Sequence, residues 1–351
     1  MAGLWLIAAL VVMARVLGAS RRAGGIAVGL AWAGLVLVHL LAPEGGLARA
    51  MGGSAAGWLV LGAAVALALG YRAGLRRLRA RAAPEAVPDA GPDAGPDAGL
   101  RDAEIDRYAR HLVLHEIGGP GQMRLRSARV LVVGAGGLGA PVCLYLAAAG
   151  VGRITLADDD TVALSNLQRQ VIFRDADIGL PKARAAAEAM AALNPHVAVT
   201  PLIRRITDAD AALIGDHDLV VDGTDSHAAR AAINRACVAA GVPLVWGAIG
   251  RWEGQLTLFD PARGGPCMAC VFPEAPIHDA PCAEAGVVGA LPGIVGAMMA
   301  LEAVKELTGA GQGMRGRLLI HDALHGETRM IRTSPDPACP VCGGRPERTS
   351  A

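Results

Sequence analysis

Residues 128–150 read ARVLVVGAGGLGAPVCLYLAAAG, and the order of events in that stretch decides the fold. Residues 128–133 are a short run dominated by valine and leucine, the pattern of a strand buried on both faces of a parallel sheet. The run leads directly into Gly134-Ala135-Gly136-Gly137-Leu138-Gly139 and then into an apolar helix that ends at Ala149 before Gly150. Strand, glycine turn and helix in that order place unpaired backbone amides and a helix dipole where an anion can sit, as in nucleotide-binding crossovers.

Working outward, residues 153–157 (RITLA) form a second strand, and Asp158 stands at its carboxyl end. That is about 20 residues beyond the turn, where an acidic side chain accepts from a ribose hydroxyl. Further strands are expected at 197–202, 219–221 and 243–246, with helices at 182–193 and 227–240 between them. Residues 254–259, 317–321 and 328–331 read as an antiparallel extension, joined by a long helix over 293–307. Upstream, Asp102 is placed to cap a helix carrying Ile105, Tyr108 and Leu112 on one face. The expected class is α/β, a Rossmann-type, mostly parallel sheet with an antiparallel extension.

A glycine turn alone does not separate NAD enzymes from ATP users. Residues 158–170 (DDDTVALSNLQRQ) do, because they gather acids, an amide and a guanidinium after the second strand. Hydride transfer has no need of that arginine. Attack of a carboxylate on an α-phosphate does, since cations must neutralise charge while pyrophosphate departs. Arg169 and Lys182 are the candidates. Asp225, in Asp222-Gly223-Thr224-Asp225, is suited to hold a bridging magnesium ion and equally suited to cap the following helix.

There are seven cysteines, and four form two Cys-x-x-Cys pairs about 70 residues apart, Cys267 with Cys270 and Cys339 with Cys342. Two such pairs supply a closed four-thiolate zinc site, which leaves no position for substrate and is therefore structural. Redox pairs are the alternative. Cys143 and Cys237 fall on apolar helical faces and read as core residues. The histidines show no triad or metal spacing.

From about Asp106 to Gly343 the chain resembles the MoeB/ThiF/HesA family: molybdopterin-synthase adenylyltransferases, thiamine-pathway ThiF proteins and their relatives the ubiquitin-activating enzymes. Arg107-Tyr108-Ala109-Arg110, the turn from Gly134 to Gly139, Ser165 to Gln170, Gly179-Leu180-Pro181-Lys182, Asp222 to Asp225 and both cysteine pairs carry the resemblance. It implies that Gly134, Gly136, Gly137 and Gly139 form the phosphate turn, that Asp158 binds ribose with Asp160 beside it, and that Asn166, Arg169 and Lys182 contact the triphosphate. It makes Asp225 the magnesium ligand and Arg110 an arginine finger for a partner subunit's ATP, hence a homodimer. On sequence alone, Arg110 is an ordinary solvated helix charge. Cys282 lies in what resembles the family's crossover loop, where thiamine-pathway relatives link covalently to the carrier and the molybdopterin branch often has a cysteine it does not require. The chain departs from its relatives at Asp159, where a hydrophobic residue is common, and at Ser226, where asparagine is common.

The N-terminal part is of another kind. The chain is 53% hydrophobic, and residues 25–42 (GIAVGLAWAGLVLVHLLA) and 55–71 (AAGWLVLGAAVALALGY) are each near the roughly 20 apolar residues that cross a bilayer. A third run over 4–17 is interrupted by Arg15. Arg21, Arg22, Arg72, Arg76, Arg77, Arg79 and Arg81 flank these runs, so two or three spans are expected over 1–81, anchoring the protein in the inner membrane as a multi-pass protein with its catalytic domain cytoplasmic. Residues 82–100, with Pro-Asp-Ala-Gly three times in succession, read as an extended linker. The domain proper is assigned to 101–345.

The expected activity joins ATP to the C-terminal glycine carboxylate of a ubiquitin-like sulfur carrier ending in Gly-Gly, with ATP, magnesium and structural zinc as cofactors. No sulfurtransferase segment follows Gly343 in this sequence, so the preferred carrier is the small subunit of molybdopterin synthase, with the thiamine-pathway carrier as alternative. A tRNA threonylcarbamoyladenosine dehydratase is disfavoured. With a net charge of +1 there is no global basic field, and no nucleic-acid partner is expected. A non-catalytic membrane scaffold and an NAD-dependent oxidoreductase are the readings from other classes.

Overall fold

The valine-rich run becomes the middle of an eight-stranded sheet. In the computed structural model, which describes residues 2–16, 21–82, 99–274 and 286–343, the strands are β1 (Arg129–Val133), β2 (Arg153–Ala157), β3 (Ala198–Leu202), β4 (Leu219–Asp222), β5 (Leu244–Ile249), β6 (Glu253–Phe259), β7 (Arg317–Asp322) and β8 (Glu327–Arg332). Their order is β3-β2-β1-β4-β5-β6-β7-β8. The first five are parallel, and β6, β7 and β8 each pair antiparallel with the strand before. The expected mostly parallel sheet with an antiparallel extension is therefore what the chain forms.

Alternation along each strand divides the core in two. Val130, Val132, Leu219, Val221 and Val245 face α7 (Gly139–Ala149), α8 (Lys182–Leu193) and a long helix, Ala290–Thr308. Leu131, Val133, Val220, Leu244 and Trp246 face the opposite layer, built from Ala211–Gly215 and His227–Ala240. Each fully buried Val or Leu contributes about 1.5–3 kcal/mol, so both layers are held by the same strands. Cys143 and Cys237 are buried in these layers as expected, and burial pushes the Cys143 thiol up to about 12.

Tight contacts at the glycines fix where the strands hand over to helices. Gly134 has φ of 89°, and a Cβ there would stand 3.0 Å from the Gly223 carbonyl oxygen. At Gly139 a Cβ would fall only 1.8 Å from the Gly134 carbonyl oxygen. The turn after β1 is thus pressed backbone to backbone against the turn after β4.

The helix expected to start at Asp102 is α5 (Asp102–Leu112), but Arg101 holds the cap position, and its amide donates to Glu104 Oε2 at 3.1 Å. Of the expected apolar face only Tyr108 is buried, its hydroxyl accepting from Asn194 Nδ2. Ile105 is exposed.

The chain divides into two compact units, Met1–Asp89 and Ala90–Ala351. The first unit holds four helices among its described residues, α1 (Ala2–Val16), α2 (Arg21–Leu41), α3 (Gly46–Met51) and α4 (Ala55–Ala82). A small apolar cluster of Leu35, Val36 and Trp58 joins them, with Trp32 Nε1 donating to the Trp58 carbonyl at 2.9 Å.

The expected membrane anchor is corrected here. Among the described residues no helix is long and apolar enough to cross a membrane. The physical reasons lie in the helices themselves. α1 has 15 residues, about 22 Å at 1.5 Å per residue and short of a hydrocarbon core of about 30 Å. α2 opens on Arg21 and Arg22 and carries His39 in its last turn, and α4 is long only because it continues through five arginines. The expected multi-pass inner-membrane location, with its membrane partner, falls with those spans. Residues 83–98 of the linker lie outside the described residues.

Gly139→Ala is expected to cost about 3 kcal/mol or more, because backbone and not a flexible side chain occupies the space its methyl needs. A thermal melt of the full chain checks this, and an unchanged Tm would contradict it.

Candidate nucleotide-binding site

All five parallel strands point the same way, so the loops after β1, β2, β3 and β4 meet at one edge of the sheet. There they enclose a cleft of about 550 Å³ lined by Gly134, Gly136 and Gly137, by Asp158 and Asp160, and by Asn166, Arg169, Lys182 and Asp225. The structure brings these nine sequence candidates together at one cleft, from the loops after β1, β2 and β4 and the start of α8. Gly139 is not on the wall; it is the packing glycine that brings α7 against the turn. Arg110 is exposed on α5 and does not line the cleft.

Asp158 is held by the turn it serves. Its Oδ2 accepts from the Ala135 amide at 2.7 Å and its Oδ1 from the Asp160 amide at 2.8 Å. Burial raises its carboxyl above the usual carboxylate range, against the pull of those amides and of Lys182. Asp225 follows β4 and is exposed to the cleft. The cap of the next helix, α10 (His227–Ala240), is Ser226, whose hydroxyl accepts from the Ala229 amide at 3.3 Å. Capping therefore does not engage Asp225, and the departure at Ser226 keeps a good capping residue.

The cations of the cleft are distributed unevenly. Lys182, itself buried, pairs with Asp160 at 2.8 Å, and Arg205 pairs with Asp159 at 2.8 Å. Arg204 pairs with Asp210. Arg230 donates to the Thr224 carbonyl and lies 5.2 Å from the Trp246 ring centroid. Arg169 has no carboxylate partner among the described residues; its guanidinium donates to the Ser165 carbonyl at 3.1 Å. Its stem passes Gly137, where a Cβ would stand 3.7 Å from Arg169 Cγ. A polyphosphate entering the cleft thus meets a carboxylate-free guanidinium beside a helix N-terminus, and competes with Asp160 for Lys182.

Gln170, Arg204, Arg205, Thr207 and Arg230 also line the cleft and were not among the sequence candidates. Arg204 and Arg205 follow the carboxyl end of β3, so the rule that open parallel sheets bind ligands at those ends would have flagged them.

Away from the cleft, the two cysteine pairs meet. Cys267 Sγ lies 3.6 Å from Cys339 and 3.8 Å from Cys270, and Cys270 lies 3.3 Å from Cys342. All four sulfurs are within 4.8 Å of one another. These separations are far beyond an S–S bond of about 2.05 Å and match the roughly 3.8 Å between sulfurs on a tetrahedral ion with bonds of about 2.3 Å. Burial pushes the Cys339 thiol up, but the amides of Cys342 and Val341 outweigh it and bring the thiol down to about 7. Cys282 lies outside the described residues.

Comparison with known proteins agrees with this geometry. A family model described as the ThiF family matches residues 108–341. The molybdopterin-synthase adenylyltransferase of Escherichia coli is 45% identical over 245 residues, covering 70% of this chain and 98% of the relative. A sulfur carrier protein adenylyltransferase of Thermus thermophilus is 46% identical over 250 residues, covering 69% and 92%. Among solved structures, E. coli MccB with ATP superposes with a TM-score of 0.60 at 23% identity, over 69% of this chain and 75% of that one, a likeness of fold alone.

Proposed function

The chain belongs to the ThiF family, and on that premise we propose that it adenylates the C-terminal glycine carboxylate of a ubiquitin-like sulfur-carrier protein, releasing pyrophosphate from ATP. The observation that carries this reading is the cleft itself. It combines a glycine turn, a ribose-side acid, Arg169 free of any carboxylate among the described residues, and Asp225 left uncapped and facing inward. An enzyme that only moved hydride would gain nothing from the last two.

In this reading Gly134, Gly136 and Gly137 receive the phosphates, and Asp158 binds the ribose with Asp160 beside it. Asn166, Arg169 and Lys182 take the triphosphate, and Asp225 would hold a magnesium ion, whose charge would help neutralise the phosphates. Charge neutralisation and positioning lower the barrier, and no protein base is required because the attacking carboxylate is already ionised. The preferred carrier is the small subunit of molybdopterin synthase, with the thiamine-pathway carrier as the alternative. One of the two relatives named above is a molybdopterin-synthase adenylyltransferase and the other a sulfur carrier protein adenylyltransferase, which supports a sulfur carrier as substrate. Arg110, exposed on α5, is assigned to the nucleotide of a second copy in a homodimer. The adenylating domain is assigned to 101–345, after a linker at 82–100.

The four-thiolate cluster fits zinc by its sulfur separations and its donor set. Cys267, Cys270, Cys339 and Cys342 would hold the ion and tie the segment after β8 to the short helix Met268–Val271, and no step of the reaction passes through it.

Pyrophosphate exchange into ATP is expected only when a carrier ending in Gly-Gly is added, and Arg169→Ala or Asp225→Ala is expected to lower its rate by about 10²–10³-fold. Carrier-independent exchange, or full activity in both variants, would defeat the proposal. Metal analysis should find about one zinc per chain, lost in Cys270→Ser together with a lower Tm. A metal-free chain that melts like the substituted one would remove the zinc assignment.

A further inference from the structure

Gln170 closes the sequence DDDTVALSNLQRQ and has no role in the account above. It is 4% exposed and lines the nucleotide cleft next to Arg169. Its backbone is fully engaged: the amide donates to the Asn166 carbonyl at 2.9 Å, and the carbonyl accepts from the Phe173 amide at 3.1 Å. Its side chain is not. Oε1 is buried with no hydrogen-bond partner among the described residues.

The other end of that amide points at the glycine turn. Nε2 lies 3.9 Å from the place a Cβ on Gly136 would occupy. A buried amide oxygen without a donor bears its desolvation cost in full. Gln170 bears it beside the glycine turn that leads into α7. Among the described residues lining this cleft, no other side chain combines such burial with an orphaned polar atom.

We infer that Gln170 is a substrate-contacting residue of the adenylation step, its amide N–H donating to a non-bridging oxygen of the α-phosphate. This inference rests on the adenylation reading proposed above. In that step a carboxylate oxygen forms the new bond to phosphorus, the bond to the pyrophosphate oxygen breaks, and its electron pair leaves with pyrophosphate. No proton changes hands. A neutral donor suits this position: it steadies the crowded phosphorus centre without adding a cation that would hold the incoming carboxylate and the leaving pyrophosphate in place. Arg169, one residue away, supplies the charge.

Two variants of the full chain test the assignment by pyrophosphate exchange, ATP titration and thermal melting. Gln170→Met keeps the shape and deletes the amide. It is expected to lower the exchange rate constant by about 100-fold, to leave the ATP dissociation constant little changed, and to raise Tm by about 2 °C because the orphaned polar atom is gone. Gln170→Glu keeps the shape and places an anion beside the phosphates, and is expected to weaken ATP binding at least about tenfold. Exchange at the unsubstituted rate in Gln170→Met overturns the inference and leaves the adenylation reading standing. A parallel fall of Tm and exchange in both variants also overturns it, since that is the signature of a packing residue. Absence of exchange in the unsubstituted chain overturns both.

Discussion

Backbone pressed on backbone, where Gly139 meets the Gly134 carbonyl and Gly134 meets Gly223, is the constraint on which the rest of the molecule depends. It seats the N-terminus of α7 directly behind the turn after β1, and it draws the turn after β4 alongside. The first effect leaves amides facing an open cleft, which favours an anion. The second brings Asp225 to the same cleft although it is far from the turn in sequence. A side chain at either glycine would push the two turns apart and separate the glycine turn from Asp225.

On that scaffold the charges are arranged so that most are already satisfied. Lys182, Arg204 and Arg205 each have a carboxylate partner, and Arg230 is tied to a carbonyl and an aromatic ring. The exposed pairs contribute little to stability on their own. Their consequence is selectivity: the cleft is not a sink for any anion, and a ligand must bring enough negative charge to draw Lys182 from Asp160. A polyphosphate with a divalent ion meets that requirement better than a single carboxylate.

Much of this was legible in the chain. Valine-rich runs, two cysteine pairs and a glycine turn followed by Asp158 report local geometry directly, and the sheet and the four-sulfur cluster appeared where those patterns placed them, with nine candidate residues gathered at one cleft. The cap after β4 was not legible, because Asp225 and Ser226 are adjacent and both can cap; only the hydroxyl-to-Ala229 contact decides between them. Arg230 was missed because a lone arginine has no spacing signature and only the fold brings it to a wall, whereas Arg204 and Arg205, just past the carboxyl end of β3, could have been flagged by the strand-end rule. The N-terminal runs misled for a physical reason: average hydropathy does not register where charges and short helix lengths fall.

In the function proposed, the cleft places a peptide's terminal carboxylate against the α-phosphate of ATP. Intact-mass spectrometry of a Gly-Gly-ending carrier after incubation with the enzyme, ATP and magnesium tests it most directly. The expected result is a carrier heavier by one adenylyl group, released as free AMP and unmodified carrier on mild base treatment. A carrier of unchanged mass under conditions where the enzyme binds ATP would contradict it.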